Sequence, residues 1–300
     1  MKSKWKKVEK ICLVLLIVGM ILIGAGVGLG GKISFRIDFK NHKVTFGNNK
    51  VTGEEELSEF SKLVINCDEP DVTVVADGDS YRVEYAVNGK KPAITIKNGE
   101  ATINAKDKGS SFFIFDLSFL TEKTYLIVHI PSGKKLESVS VKGDTGNVKL
   151  ENLESEDIHI NTDTGNVTLD HIEALKCNMT SDTGNIVMKS VKTESVTAKT
   201  DTGNIKLSSV DMNELNAKSD TGNITLNDVS IKTADLKTDT GNVKCEIVGK
   251  EKDYNINLKT DVGTIKVDGN KQGDQYRKES DKNYKMEIDT DTGNITVNFE

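Results

Sequence analysis

One tetrapeptide, Asp-Thr-Gly-Asn, constrains this chain more than any other feature in it. It begins at Asp144, Asp163, Asp182, Asp201, Asp220, Asp239 and Asp291. A degenerate copy, Asp261-Val262-Gly263-Thr264, falls between the last two. The first six copies recur at a constant interval of 19, and the intervals that follow are 22 and 30. Self-similarity with a period of about 20 residues is the signature of stacked structural repeats, each burying its apolar face only against its neighbours.

Numbering each repeat from its Asp as position 0 brings out apolar rows. Position +4 is Val148, Val167, Ile186, Ile205, Ile224, Val243, Ile265 and Ile295, and +6 is Leu150, Leu169, Met188, Leu207, Leu226, Cys245, Val267 and Val297. Positions −5 and −3 are apolar from Ile158 and Ile160 through to Met286 and Ile288, and +9 from Leu153 to Val248. Apolar residues two apart read as strands with one face inward. Each coil therefore has two strands and a short third near +9. Like side chains stack about 4.8 Å apart, so eight marked coils span roughly 38 Å. The predicted fold is all-β: a single-stranded parallel β-solenoid of about 19 residues per coil, with a β-rich N-terminal cap and one N-terminal transmembrane helix.

The tetrapeptide itself reads as the corner between strands. Glycine supplies positive φ, and the Asp carboxylate accepts the N–H two residues on. The Asn side chains form an amide ladder from coil to coil. The residues beyond 19 in the last two intervals are expected to bulge out as loops, the larger running from Asp268 to Tyr284.

Upstream, residues 1–10 hold five lysines and form a basic cytoplasmic head. Residues 11–31 are uncharged, long enough for a helix that crosses a bilayer, and make an uncleaved anchor. Residues 32–60 read as a juxtamembrane spacer, 61–135 as a β-rich cap with the first coils, and 136–300 as the repeat solenoid. Within the cap, Val72-Thr73-Val74 and Tyr81–Tyr85 read as strand, turn, strand. Residues 93–96 and 101–103 pair about Asn98-Gly99, a type I′ turn signal. Phe112, Phe113, Phe115 and Phe119 are expected to pack over an open end of the solenoid. Lysine density just before the span puts the N-terminus in the cytoplasm and the bulk outside the cell.

Chemistry is sparsely signalled. A net charge of −6 argues against a nucleic-acid grip. Cys12, Cys67, Cys177 and Cys245 show no CxxC spacing and read as small hydrophobes. Asp-Thr-Gly also marks aspartic-protease dyads, but a dyad accounts for two copies and a ladder for seven. The column Asp144, Asp163, Asp182, Asp201, Asp220, Asp239 and Asp291 offers hard oxygen ligands, so calcium is the one cofactor the pattern raises. Carbohydrate processing would need paired carboxylates in a groove, and His129, His159 and His171 do not share a register. No catalytic or cofactor-binding residue is assigned.

The anchor, the β-rich lead with a strand ending at Ile130-Pro131, and the repeated corners followed by Ile-x-Leu together resemble the bacterial putative-adhesin family. That family, a domain of unknown function, includes the LiaG-like envelope-stress proteins, and the resemblance covers residues 60 to 300. It implies a β-solenoid at the cell envelope with a structural, adhesion or interaction role and no catalytic residues. The partner would be an envelope protein or polysaccharide. The alternatives are an accessory protein of an envelope-stress response and, further out, a polysaccharide-processing enzyme.

Overall fold

A strand with alternate apolar side chains buries one face, and a chain that repeats it at a fixed interval can stack those faces into continuous rows. The computed structural model of the protein describes residues 18–19, 34–38, 43–46, 50–106, 114–116 and 123–300. It divides into two compact units, one of residues 1–50, 88–90 and 107–123, the other of 51–87, 91–106 and 124–300. In the smaller unit Ser34–Asp38 pairs antiparallel with Lys43–Phe46 and with Ile114–Asp116. The stretch read as a spacer therefore contributes strands. The basic head, nearly all of the predicted membrane span and the side chains of the phenylalanine cluster lie outside the described residues. Among the described residues, no helix is long and apolar enough to cross a membrane.

The larger unit is a parallel β-solenoid. On one side, Glu154–Thr164 lies between Lys135–Thr145 and the second half of Val167–Thr183, with Ile158 aligned to Val139 and to Cys177. On another side, Val148, Val167, Ile186, Ile205, Ile224 and Val243 align coil after coil. The rows at −5, −3, +4 and +6 are buried, as at Ile205 and Leu207. Burying an aliphatic side chain stabilises by about 1.5–3 kcal/mol, and stacking multiplies that along each row.

Strand alternation alone would turn +8 inward after +6. Instead Asn152, His171, Ser190, Ser209 and Asp228, all at +8, adopt left-handed φ of 52–56°. This bulge shifts the phase by one residue and turns the chain, so that Leu153, Ile172, Val191, Val210 and Val229 at +9 point in. The expected inward Val248 is instead 47% exposed, and Ile247 is fully buried in its place. The reason is local: Ile247 has no left-handed φ, the register slips by one residue, and Ile247 aligns with Val229.

The expected order of the last coils is also corrected. Tyr284–Thr292 pairs with Thr233–Thr240 on one side and Tyr254–Val262 on the other, so the Asp291 coil lies between the Asp239 and Asp261 coils. The three extra residues fall, as expected, outside the strands, in the link from Ile247 to Tyr254, which carries a 3-10 turn at Glu251–Asp253. The longer insertion is not a plain loop. Gln275–Lys278 pairs antiparallel with the Asp261 coil at Ile256–Lys259, and Asn270–Lys271 pairs antiparallel at Lys266–Val267.

The other end is closed in the same way. Ala93–Lys97 pairs antiparallel with Glu100–Ala105. Tyr125–Ile130 lies between Asp71–Ala76, parallel, and Arg82–Asn88, antiparallel. The expected pairing of Val72–Val74 with Tyr81–Tyr85 is thus interrupted by a strand from further along the chain. Antiparallel closure at both ends covers edges that would otherwise template further stacking.

Candidate functional site

Each corner is built from four residues with separate duties. The glycines are needed for space. A Cβ on Gly203 would lie 2.0 Å from the carbonyl oxygen of Gly184, and Gly165, Gly184, Gly222 and Gly241 approach the preceding coil equally closely, at 1.9–2.0 Å. The expected positive φ is present at Gly146, at 112°, and close to its extended limit at Gly165, Gly184, Gly222 and Gly293, at 156–159°, so close approach adds a second demand for glycine. The asparagines form the expected ladder. Asn204 donates its N–H and its Nδ2 to Oδ1 of Asn185 at 2.9 and 3.0 Å, and Asn166, Asn185, Asn223 and Asn242 repeat the pair. Asp71 accepts both donors of Asn147 and so begins the ladder.

A row not anticipated from the sequence supports the corner from inside. Ser181, Thr200, Ser219 and Thr238, one residue before each Asp, are buried and donate their hydroxyls to the carbonyls of Gly165, Gly184, Gly203 and Gly222 at 2.9–3.0 Å. The signal was present: position −1 continues the inward alternation of −5 and −3, and after Gly143 carries only Ser or Thr.

Asp and Thr of the tetrapeptide face outward. Asp163, Asp182, Asp201, Asp239 and Asp291 are exposed, and Asp144 and Asp220 half-buried. Among the described residues, none of these carboxylates accepts the N–H two residues on. Asp220 instead takes Nζ of Lys218 at 2.9 Å, and Asp144 lies 3.8 Å from Nζ of Lys106. No three of His, Cys, Asp and Glu among the described residues gather as a metal-holding group.

The three described cysteines are buried and unpaired. Burial pushes the Cys67 thiol up to about 12 and the Cys177 thiol to about 11, and raises Cys245 as well. These thiols stay protonated at neutral pH, so none is primed as a nucleophile.

His129 is a further group that spacing did not single out. Its side chain is 8% exposed, with Nδ1 2.6 Å from Oδ1 of Asp77 and Nε2 3.4 Å from Oε1 of Glu84. Arg82 completes the group, its guanidinium paired with Glu84 and 3.0 Å from Glu54. These side chains tie together the strands that close this end of the solenoid.

The bulges at +8 create a concavity along the solenoid. Coil after coil, the left-handed residue folds the backbone back on itself and leaves a shallow open groove of about 660 Å³. Asn152, His171, Ser190, Ser209 and Asp228 line it in a row, backed by the +9 aliphatics and flanked by Glu173, Lys192 and Asp211. Ser209 donates to Oδ2 of Asp228 at 2.9 Å, and His171 Nδ1 lies 2.8 Å from Asp170. The groove presents hydrogen-bonding side chains at the coil spacing of about 4.8 Å. That arrangement suits contact with an extended ligand. No sequence pattern marks it, because the side chains at +8 differ in type and share only a backbone conformation.

A family described as Toastrack DUF4097 matches residues 60–298. Solved structures of similar fold include a putative adhesin from Parabacteroides merdae ATCC 43184, at 15% identity and a TM-score of 0.51, covering 84% of this chain and 96% of that one. A putative adhesin from Parabacteroides distasonis ATCC 8503 is similar at 16% identity and a TM-score of 0.50, covering 84% and 97%. One from Bacteroides fragilis NCTC 9343 is similar at 14% and 0.48, with the same coverage. No curated protein matches the chain.

Proposed function

The chain belongs to the Toastrack DUF4097 family, and we propose that it is a membrane-anchored β-solenoid that binds an extended envelope partner outside the cell, without catalysis. The groove at +8 is the observation that carries this reading. Its polar row repeats across five coils and is open along its length, as contact with a polysaccharide or an extended peptide requires. The uncharged run 11–31 behind a lysine-rich head supports the anchor and its orientation. The adhesin names carried by solved structures of similar fold agree with a surface-interaction role.

The test is retention of the chain on cell-wall polymer and on membrane-protein fractions of the producing cell. Ser190→Trp fills the groove and is expected to lower retention at least tenfold. Lys206→Trp, on the outward face of a neighbouring strand, leaves it unchanged. Equal retention of both variants, or none for the parent chain, rejects the groove. In intact cells, Lys244→Cys is expected to react with a membrane-impermeant maleimide, and protection there would reject the extracytoplasmic placement.

A further inference from the structure

Chain order and stacking order part at the C-terminal end, as they do at the other end of the solenoid. The Asp291 coil follows the Asp261 coil in sequence but is stacked beneath it. Ile295–Phe299 pairs with Val243–Ile247 on one side and Ile265–Val267 on the other. It is tied to the Asp261 coil through the polar run 268–283, whose strands Asn270–Lys271 and Gln275–Lys278 pair with that coil, so that residues 279–283 form the hinge, with an extended reach of roughly 17 Å.

The two coils it separates match each other. Ala234 and Leu236 align with Met286 and Ile288, and so do Ile256 and Leu258. Val243 and Cys245 align with Ile295 and Val297, and so do Ile265 and Val267. The hydroxyl row also repeats, with Thr290 donating to Gly241 and Thr260 to Gly293. The Asp261 coil therefore has the side chains to stack directly on the Asp239 coil once the intervening coil departs, and the apolar rows stay covered.

Two features favour the observed order. Asn294 donates twice to Asn242, whereas Thr264 has no amide with which to receive Asn294 in the sequential order. The Tyr254 ring also packs 5.4 Å from both Tyr284 and Phe299, at the two ends of the inserted coil.

We propose that the Asp291 coil is exchangeable, and that the slot between the Asp239 and Asp261 coils accepts residues 284–300 from a second copy of this chain as well as its own. The slot recognises parallel register, the Gly241 carbonyl and the Asn242 amide, a combination that another Asp-Thr-Gly-Asn coil satisfies. Donation between copies gives a swapped dimer in which every coil contact is retained.

The test uses the full chain, a fluorescent synthetic peptide of residues 284–300, and Gly293→Ala, whose added Cβ would lie 1.8 Å from the Gly241 carbonyl oxygen. Gly293→Ala chain is expected to keep its β-sheet circular dichroism and become protease-sensitive within 279–292. It should take up the wild-type peptide but not the Gly293→Ala peptide. Wild-type chain refolded at high concentration is expected to give a slowly reverting dimer by light scattering. A Gly293→Ala chain that unfolds throughout, keeps its last coil protected or refuses the peptide overturns the proposal. So does a refolded wild-type chain that is monomeric at every concentration.

Discussion

Asn294 donates its N–H and its Nδ2 to Oδ1 of Asn242, at 2.9 and 3.2 Å, across 52 residues of chain. The N–H of Thr264, which precedes Asn294 in sequence, donates in turn to Oδ1 of Asn294 at 3.0 Å. The degenerate corner is therefore the last rung. An asparagine there would offer an onward acceptor with no coil to use it, so the repeat can lapse to Thr without breaking the ladder.

Breaking the ladder in its middle has a cost. Asn204→Ala removes the acceptor of two Asn223 donors and the donor to Asn185. Water replaces part of this at an exposed site, so a loss of about 1–2 kcal/mol is expected from the urea midpoint. An unchanged midpoint would make the ladder decorative.

Space at the corner gives a sharper contrast. Gly203→Ala drives a Cβ into backbone 2.0 Å away and is expected to cost more than about 3 kcal/mol, while Gly78→Ala, with open space at φ 81°, costs about 1 kcal/mol. Thermal melts of both variants check the order, and equal costs would refute the close-approach account.

The inward hydroxyls are expected to matter and the outward ones not. Thr200→Val leaves the Gly184 carbonyl without its donor and should cost about 1–2 kcal/mol. Thr202→Val, exposed, should change stability by less than about 0.5 kcal/mol. Ile205→Asp, placing a carboxylate in a fully buried row, is expected to abolish cooperative melting.

Alkaline pH should destabilise the solenoid through its thiols. Cys67 and Cys177 ionise near 12 and 11 when folded, against 9.0 unfolded. The unfolded chain thus releases protons first, and stability is full below pH 9 and falls above it. The slope is about 1.4 kcal/mol per pH unit for each thiol. Urea midpoints at pH 8 and pH 10 test this, and Cys67→Ala with Cys177→Ala should reduce the dependence to the share that Cys245 retains.

Calcium is expected to leave the melting midpoint unshifted. The Asp column faces solvent, and lysines already partner Asp220 and Asp261. A rise of several degrees in millimolar calcium would instead make the column a cation site.

What the sequence by itself determined is what repeats locally. The constant period, the strand alternation and the recurring Asn specify parallel stacking, the inward rows at −5, −3, +4 and +6, and the amide ladder. Each follows from the chemistry of a coil against a like coil. Tertiary structure decided whatever depends on a choice between equivalent edges or on backbone conformation that several residue types can adopt. The left-handed bulge at +8 is made by Asn, His, Ser and Asp alike, so the groove carries no residue signature. Val248 faces out because one coil lacks that bulge. The Asp291 coil lies beneath the Asp261 coil because two stacking orders satisfy the apolar rows, and the amide ladder and the aromatic contacts together favour one. Spacing along the chain cannot express that competition, because it is settled between segments far apart in sequence.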